Sequence, residues 1–460
     1  MKYHDALRYL YSLVDFEKRR IERYTPEEFR LERVEAFLEV LGRPHHRYPK
    51  LHIAGTKGKG SVSAMLASAL QAGGYKTGLY TSPHLHTYRE RMQINAQPIS
   101  RQEMATLVEE AQPLIAEFPE ITIFEVTTAL AFRYFARHNV DVAVVEVGLG
   151  GRLDATNVIT PLVSIITSLS LDHTYLLGDT LAEIAGEKAG IIKRGVPVVS
   201  APQKPEARAV LEQVAAEREA PFTLVGEDWT WEQLARTLEG QRLRVRRTQG
   251  ASELEGEYHI PLLGDFQLEN ATTALAALDI LHRRGELQLP REAVARGLAQ
   301  TSWPGRMEVL NRDPLLIVDS AHNPYSAQTL MASLQRWFPD THWVLIYGAS
   351  NDKDIKGMLK ALLPHCEHTL VTRSYHPRAA APYVLADHCA DLGYGAEIAV
   401  NPTRALEQAS RHLKPGLGLL ATGSIFLVAE IREAWAENNK PLTLPRRDWD
   451  EEEWGPPAGS

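Results

Sequence analysis

Apolar residues along the chain follow two alternating rhythms. Short runs rich in β-branched residues, "LHIA" (51–54), "TGLYTS" (77–82), "VDVAVVEVG" (140–148) and "LVSIITS" (162–168), read as buried parallel strands. Between them lie segments with helical spacing: in "SVSAMLASALQAGG", Val62, Met65, Leu66, Ala69 and Leu70 fall at i, i+3, i+4, i+7 and i+8. "RLERVEAFLEVLG" (30–42) predicts an earlier helix stopped by Gly42. Strands alternating with amphipathic helices predict an α/β sheet with crossover helices.

Residues 228–258 are more charged and less periodic, predicting extended or hairpin structure, with "QRLRVRRTQG" (241–250) as a solvated face. A helix resumes at "LENATTALAALDILHRRG" (268–285), and "TSWPGR" (301–306) supplies turn chemistry. A second α/β set follows in "LLIVDSAHN" (315–323), "HWVLIYGAS" (342–350), "HTLVT" (368–372) and "LGLLATGS" (417–424). The expected organisation is a first domain over 1–298 with a mostly parallel sheet, and a smaller Rossmann-like α/β domain over 299–440. Residues 441–460, acidic and proline-rich, are expected to form a mobile tail.

Composition narrows the classes without choosing one. The 460 residues, 44% apolar and 23% charged, are ordinary for a globular chain and long enough for two or three cores. A net charge of -8 gives no global reason to bind nucleic acid or an anionic membrane. No apolar run approaches a membrane span, the first residues lack a signal-peptide core, and the two cysteines, Cys366 and Cys389, form no CxxC pair. A cytoplasmic protein is expected.

Ligands of open α/β sheets collect beyond the carboxyl ends of the strands, and polar residues stand at several such ends here. "AGTKGKGS" (54–61) follows a strand and opens a helix. Its glycines, Gly55, Gly58 and Gly60, permit a sharp turn whose N–H groups can face a phosphate, and Lys59 adds a cation. Ser61 could cap the helix or reach a metal; a purely structural turn capped by Ser61 is the competing reading. The extra glycine before Ser61 departs from G-x-x-x-x-G-K-[ST]. Glu146 closes a run of valines, where a magnesium ion or a salt bridge could compensate its charge.

In "TLAEIAGEKAGIIKRG" (180–195), Thr180 and Glu183 form a capping box, and Lys188 falls on the apolar face with Leu181 and Ile184. An inward lysine must snorkel, pair with an acid or change its charge. His173 read alone is a satisfied core histidine. His84 and His86 in "SPHLH" have too short a spacing to define a metal site, Asp319 and His322 follow a strand where a turn-forming Asp is expected, and His45 and His46 carry no assigned role.

Taken together, "GTKGKGS" (55–61), "TSPHL" (81–85), "FE" (124–125), "EVGLGGRLDATN" (146–157), "LDHTYLLGDT" (171–180), "EKAGIIK" (187–193), "WPGRMEV" (303–309) and "DSAHNP" (319–324) resemble the folylpolyglutamate synthase and dihydrofolate synthase family of Mur-ligase-like enzymes. The likeness runs from the first helix to about residue 435. It implies a P-loop-type ATPase domain in which Thr56, Lys57, Gly58, Lys59, Gly60 and Ser61 hold the ATP phosphates. Ser82 and Glu146 would bind one magnesium and His173 a second, and Lys188 would be carbamylated. Asn270, Arg306 and Asp319 match ATP-contacting positions, while Thr122, Ile123, Phe124, Glu125, Leu153, Asp154 and Ala155 match pterin-binding ones. Lys59, His173 and Lys188 would carry the catalysis.

The implied reaction joins L-glutamate to dihydropteroate and to reduced folates through an acyl phosphate, as a bifunctional monomer working on small molecules. "GGRLDATN" resembles the bifunctional form; polyglutamylation alone is the alternative. Lys57 stands where bacterial relatives often carry asparagine, and Phe266 where histidine is common. A P-loop ATPase or kinase is disfavoured by the loop spelling and by "DSAHN", and a noncatalytic folate binder by the full set of metal-type residues.

Overall fold

The computed structural model describes residues 1–14, 25, 28–439, 444 and 448. They form two units. The first comprises Met1–His84, Tyr88–Pro261 and Phe266–Ser302; the second comprises Leu85–Thr87, Leu262–Asp265 and the chain from Trp303.

In the first unit the strands are β1 (Lys50–Ala54), β2 (Thr77–Tyr80), β3 (Met92–Ile94), β4 (Gln97–Pro98), β5 (Val142–Glu146), β6 (Val163–Ile166), β7 (Val198–Ser200), β8 (Phe222–Leu224), β9 (Trp229–Thr237), β10 (Gly240–Arg247) and β11 (Gly256–Ile260). Its helices are α1 (Tyr3–Ser12), α2 (Leu31–Val40), α3 (Lys59–Ala72), α4 (Arg101–Ile115), α5 (Ile123–Arg137), α6 (Thr174–Leu177), α7 (Leu181–Ala189), α8 (Pro205–Glu217), α9 (Phe266–Arg283) and α10 (Arg291–Ala299).

The main sheet runs β4-β3-β2-β5-β1-β6-β7-β8. From β2 to β8 every pairing is parallel, and β3 and β4 add an antiparallel edge. The central strands β1, β5 and β6 are buried at every position, which explains their mainly apolar spelling; the buried His52 and Ser164 within them bond to Thr156 and to the Ile191 carbonyl. The register aligns Ile53 with Glu146 and Tyr80 with Val145, so β1, β2 and β5 end side by side. Residues 229–260 form a separate antiparallel sheet, β11-β10-β9. Its basic run is a solvated face: Arg242 and Arg244 pair with Glu257, and Arg244 also with Glu232.

The second unit has strands β12 (Glu308–Arg312), β13 (Leu315–Asp319), β14 (His342–Tyr347), β15 (Cys366–Val371), β16 (Glu397–Ile398) and β17 (Leu417–Thr422). Its helices are α11 (Pro324–Trp337), α12 (Ile355–Leu362), α13 (Pro382–Asp391), α14 (Pro402–Arg411) and α15 (Ile425–Asn439). The sheet order is β12-β13-β17-β14-β15-β16, parallel except for β12 against β13. Strand alternation divides its core into two layers. Ile317, Leu345, Tyr347 and Leu420 face one layer; Leu316, Val318, Val344, Ile346 and Leu419 face the other.

The expected mobile tail, 441–460, lies outside the described residues except at 444 and 448. Asp448 is buried and accepts a hydrogen bond from the Thr87 hydroxyl at 2.8 Å. Among the described residues no helix is long and apolar enough to cross a membrane.

Candidate active site

The glycine loop between β1 and α3 is fixed by its neighbours before any ligand enters. The amides of Thr56 and Lys57 both donate to the Ser168 carbonyl, at 3.0 and 3.1 Å, and the Thr56 hydroxyl donates to the Ser170 carbonyl at 3.2 Å. Lys57 Nζ lies 3.0 Å from Asp172 Oδ2. The first intrahelical bond of α3 runs from Val62 N to the Gly58 carbonyl, so the N–H groups of Lys59, Gly60 and Ser61 precede it and stand at the positive helix end. They, more than the amides at 56 and 57, form the anion-facing part of the loop.

Two glycines are sterically required here. Gly55 has φ +150°, and a Cβ on it would overlap the Thr167 hydroxyl; Gly58 has φ +92°, and a Cβ would overlap the Asn270 amide. Capping of the helix by Ser61, one of its two possible roles and the basis of the competing structural reading, does not occur. Gly58 is the N-cap, no side chain caps α3, and Ser61 Oγ instead accepts from Gln267 Nε2 at 3.3 Å. Asn270 in turn donates to Gln267 Oε1 at 2.9 Å, so α9 braces the loop through two amide side chains.

Glu146 ends β5 at 4% exposure, and its Oε2 accepts from the Ser82 amide at 3.3 Å. The two residues expected to share a metal are therefore neighbours. His173 adopts a left-handed backbone at the start of α6, with its amide 3.0 Å from Asp172 Oδ1. Asp172 thus touches both Lys57 in the loop and the His173 turn.

Lys188 sits on α7, whose Thr180–Glu183 capping box forms as expected. Only 5% of it is exposed. Burial first, then repulsion from Lys59, pushes its amine down to about 7 from the usual 10.5; Asp172 and Asp154 oppose the shift and Lys57 adds to it. The helix is pinned to the loop after β5: Arg152 N donates to the Glu187 carbonyl at 2.7 Å, and Asn157 Nδ2 to the Gly190 carbonyl at 3.1 Å. Gly151 is required by that approach, since a Cβ would stand 2.8 Å from the Glu187 carbonyl.

The residues expected to hold a pterin divide by role. Thr122 and Glu125 form the capping box of α5, and Glu125 Oε1 lies 2.7 Å from Arg33 NH2. Both oxygens of Glu125 therefore have structural partners. Phe124 projects against Gly148, where a Cβ would overlap its ring, and lies 6.3 Å from the Tyr80 ring. Ile123 is buried at the helix start. Leu153 packs with Leu177 and Ile184, and Ala155 begins a short 3-10 turn. Asp154 caps that turn, accepting from Leu149 N at 2.8 Å and Thr156 N at 3.0 Å; burial raises its carboxyl above the ordinary value.

In the second unit, Asp319 ends β13 and accepts from the amides of Met307 and Ala321, each at 2.8 Å, which matches the turn-forming reading. Arg306 donates to the Gly305 carbonyl at 3.4 Å. His86 lies 2.9 Å from Glu433 and also meets Arg432, while His84 accepts from Arg91 Nε in the first unit at 3.0 Å.

Comparison with known proteins decides the family. Residues 53–278 match the Mur ligase middle domain, and 305–425 the Mur ligase glutamate ligase domain. The dihydrofolate synthase/folylpolyglutamate synthase of Bacillus subtilis is 33% identical over 88% of this chain and 94% of its own. This chain belongs to the dihydrofolate synthase/folylpolyglutamate synthase family.

Its members include Lacticaseibacillus casei folylpolyglutamate synthase, 34% identical over 87% of this chain and 93% of that one. The Mycobacterium tuberculosis folylpolyglutamate synthase, solved with ADP, matches with a TM-score of 0.82 and 35% identity, covering 94% of this chain and 98% of the other. The chain is an ATP-dependent ligase of the Mur type, with the α/β architecture expected of it. Within this folylpolyglutamate synthase framework, sequence reasoning missed Asp172 as the partner of Lys57, Gln267 as the partner of Ser61, and Arg33 as the partner of Glu125. For Glu125 a signal was present, because Thr122-x-x-Glu125 spells a capping box.

Proposed function

We propose that the chain adds L-glutamate both to dihydropteroate and to folylglutamates, acting as a cytoplasmic monomer. The observation that carries the ligase chemistry of this reading is Lys188: a buried amine pushed down to about 7 by burial and by Lys59 of the phosphate loop. A neutral amine attacks carbon dioxide, forming a C–N bond and releasing a proton, and the product is an anion. Lys59 and Lys57, which repel the ammonium, attract that carbamate. The same surroundings that penalise one charge favour the other.

The donor set fits magnesium: a buried carboxylate at Glu146 with Ser82 beside it, and the His173 turn, whose neighbour Asp172 acts electrostatically on the lysine that would become anionic. Magnesium bound there would offset charge on the ATP phosphates. The chain's own groups account for the remainder. Lys59 and the N–H groups of Lys59, Gly60 and Ser61 stabilise the γ-phosphoryl oxygens while the acceptor carboxylate attacks phosphorus and ADP leaves. The glutamate amine then attacks the acyl carbon, phosphate departs, and an amide remains. Arg306 and Asp319 are assigned to ATP from resemblance alone. Phe124, beside Gly148 and Tyr80, offers an aromatic surface for a pterin ring.

Bifunctionality rests on "GGRLDATN", since relatives named for two activities and for one are equally similar to this chain. The test incubates purified protein with ATP, magnesium, L-glutamate and either dihydropteroate or tetrahydrofolate, then reads glutamyl mass increments. Increments on both acceptors are expected. An increment on tetrahydrofolate alone leaves polyglutamylation only, and none on either acceptor defeats the substrate assignment.

A further inference from the structure

The second unit carries a group of metal-type ligands that ligase chemistry does not use. His368 lies on β15, Glu397 on the edge strand β16, and His412 ends α14. Glu397 pairs with Leu370, two residues beyond His368, so the pleat places all three on one sheet face. Leu370 packs there with Ala405, Leu406 and Ala409 of α14, which brings the helix end over the strands. One donor atom from each of His368, Glu397 and His412 lies within 4.8 Å of the other two. His412 Nε2 stands 2.9 Å from Glu397 Oε1, and the two imidazoles stack at 4.3 Å.

We propose that His368, Glu397 and His412 bind one divalent transition-metal ion of the zinc class, which staples the edge strand β16 to β15 and α14. Two imidazoles and one carboxylate suit zinc and its neighbours, whereas calcium or magnesium would demand more oxygen ligands. Tetrahedral ligands at about 2.0–2.1 Å stand roughly 3.3 Å from one another, so the three donors are already near the required spacing. The ion would sit at the carbonyl end of α14, where cations are favoured.

Gln408 adds an independent sign. It lies one turn before His412 on the same helix face, and its amide oxygen is buried without a hydrogen-bond partner. A water in the fourth coordination position would give that oxygen a donor. The staple has a physical purpose, since β16 is only two residues long, its own Ile398 is exposed, and so is Val400 just beyond it.

The full chain, stripped with a chelator, is titrated with zinc alone by calorimetry and against a chromogenic chelator, and its crystals are measured at the zinc absorption edge. One zinc per chain is expected, with an anomalous peak between the three residues and a raised melting temperature. Glu397→Gln, which keeps an exposed side chain's shape, and His412→Ala should each weaken binding by at least about tenfold. The ligase-site variant Glu146→Gln should retain it. Absence of stoichiometric zinc, a peak located at other histidines, or unchanged affinity in both Glu397→Gln and His412→Ala would overturn the assignment.

Discussion

Replacing Lys188 by methionine should make the protein more stable and inactive. The fall of its amine from 10.5 to about 7 corresponds to about 5 kcal/mol. Below the folded-state value both folded and unfolded chains hold the proton, and the full burial cost stands. Between about 7 and 10.5 the unfolded chain binds the extra proton, so stability rises with pH across that window; above 10.5 the cost is gone. At pH 7 the remaining cost is about 4 kcal/mol.

Methionine keeps the length and removes the charge, so Lys188→Met should gain up to about 4 kcal/mol at pH 7, shrinking toward zero near pH 10. Urea unfolding followed by circular dichroism, in carbon-dioxide-free buffer from about pH 6 to about pH 10, measures both curves. Bicarbonate should then stabilise the wild type and leave the variant unmoved, because carbamylation acts only on the folded amine. A variant no more stable than wild type at neutral pH, or one whose pH profile runs parallel to it, would refute the account of Lys188.

Three further outcomes follow from the site. Gly55→Ala, forced against the Thr167 hydroxyl, should weaken ATP binding by more than about tenfold, measured by calorimetry; unchanged affinity would mean the loop relaxes freely. Glu146→Gln should lose magnesium-dependent turnover by at least about a hundredfold while its melting temperature holds, and a retained kcat would remove Glu146 from the metal assignment. Glu125→Ala should lower stability by about 1–3 kcal/mol through the lost cap and the stranded Arg33, and a rise in acceptor KM without loss of stability would restore it as a pterin ligand.

Local rules made most of the framework legible. The valine run ending at Glu146, the glycine turn into α3 and the 180–183 capping box are each written within a short consecutive stretch, and all form as spelled. Lys188 was legible as an inward lysine because helical spacing fixes which face it shares. Pairings across long separations were not. Lys57 meets Asp172 across 115 residues, and His86 meets Glu433 across 347. No periodicity encodes such distances. His368, Glu397 and His412 likewise come from a strand, an edge strand and a helix end, and only sheet register brings them together.

The chain's membership in its two units also bears on how it can be taken apart. The second unit is not a continuous stretch of gene: Leu85–Thr87 and Leu262–Asp265 belong to it as well as the described residues after Ser302. Leu85 fills the core layer beneath α15, His86 meets Arg432 and Glu433, and Leu263 packs in the opposite layer. A fragment starting at Trp303 would therefore be born with holes on both sides of its sheet and with a buried arginine missing a neighbour. Swapping this half between homologues requires three exchanges at once, and a library cut at a single junction would score the missing pieces as incompatibility.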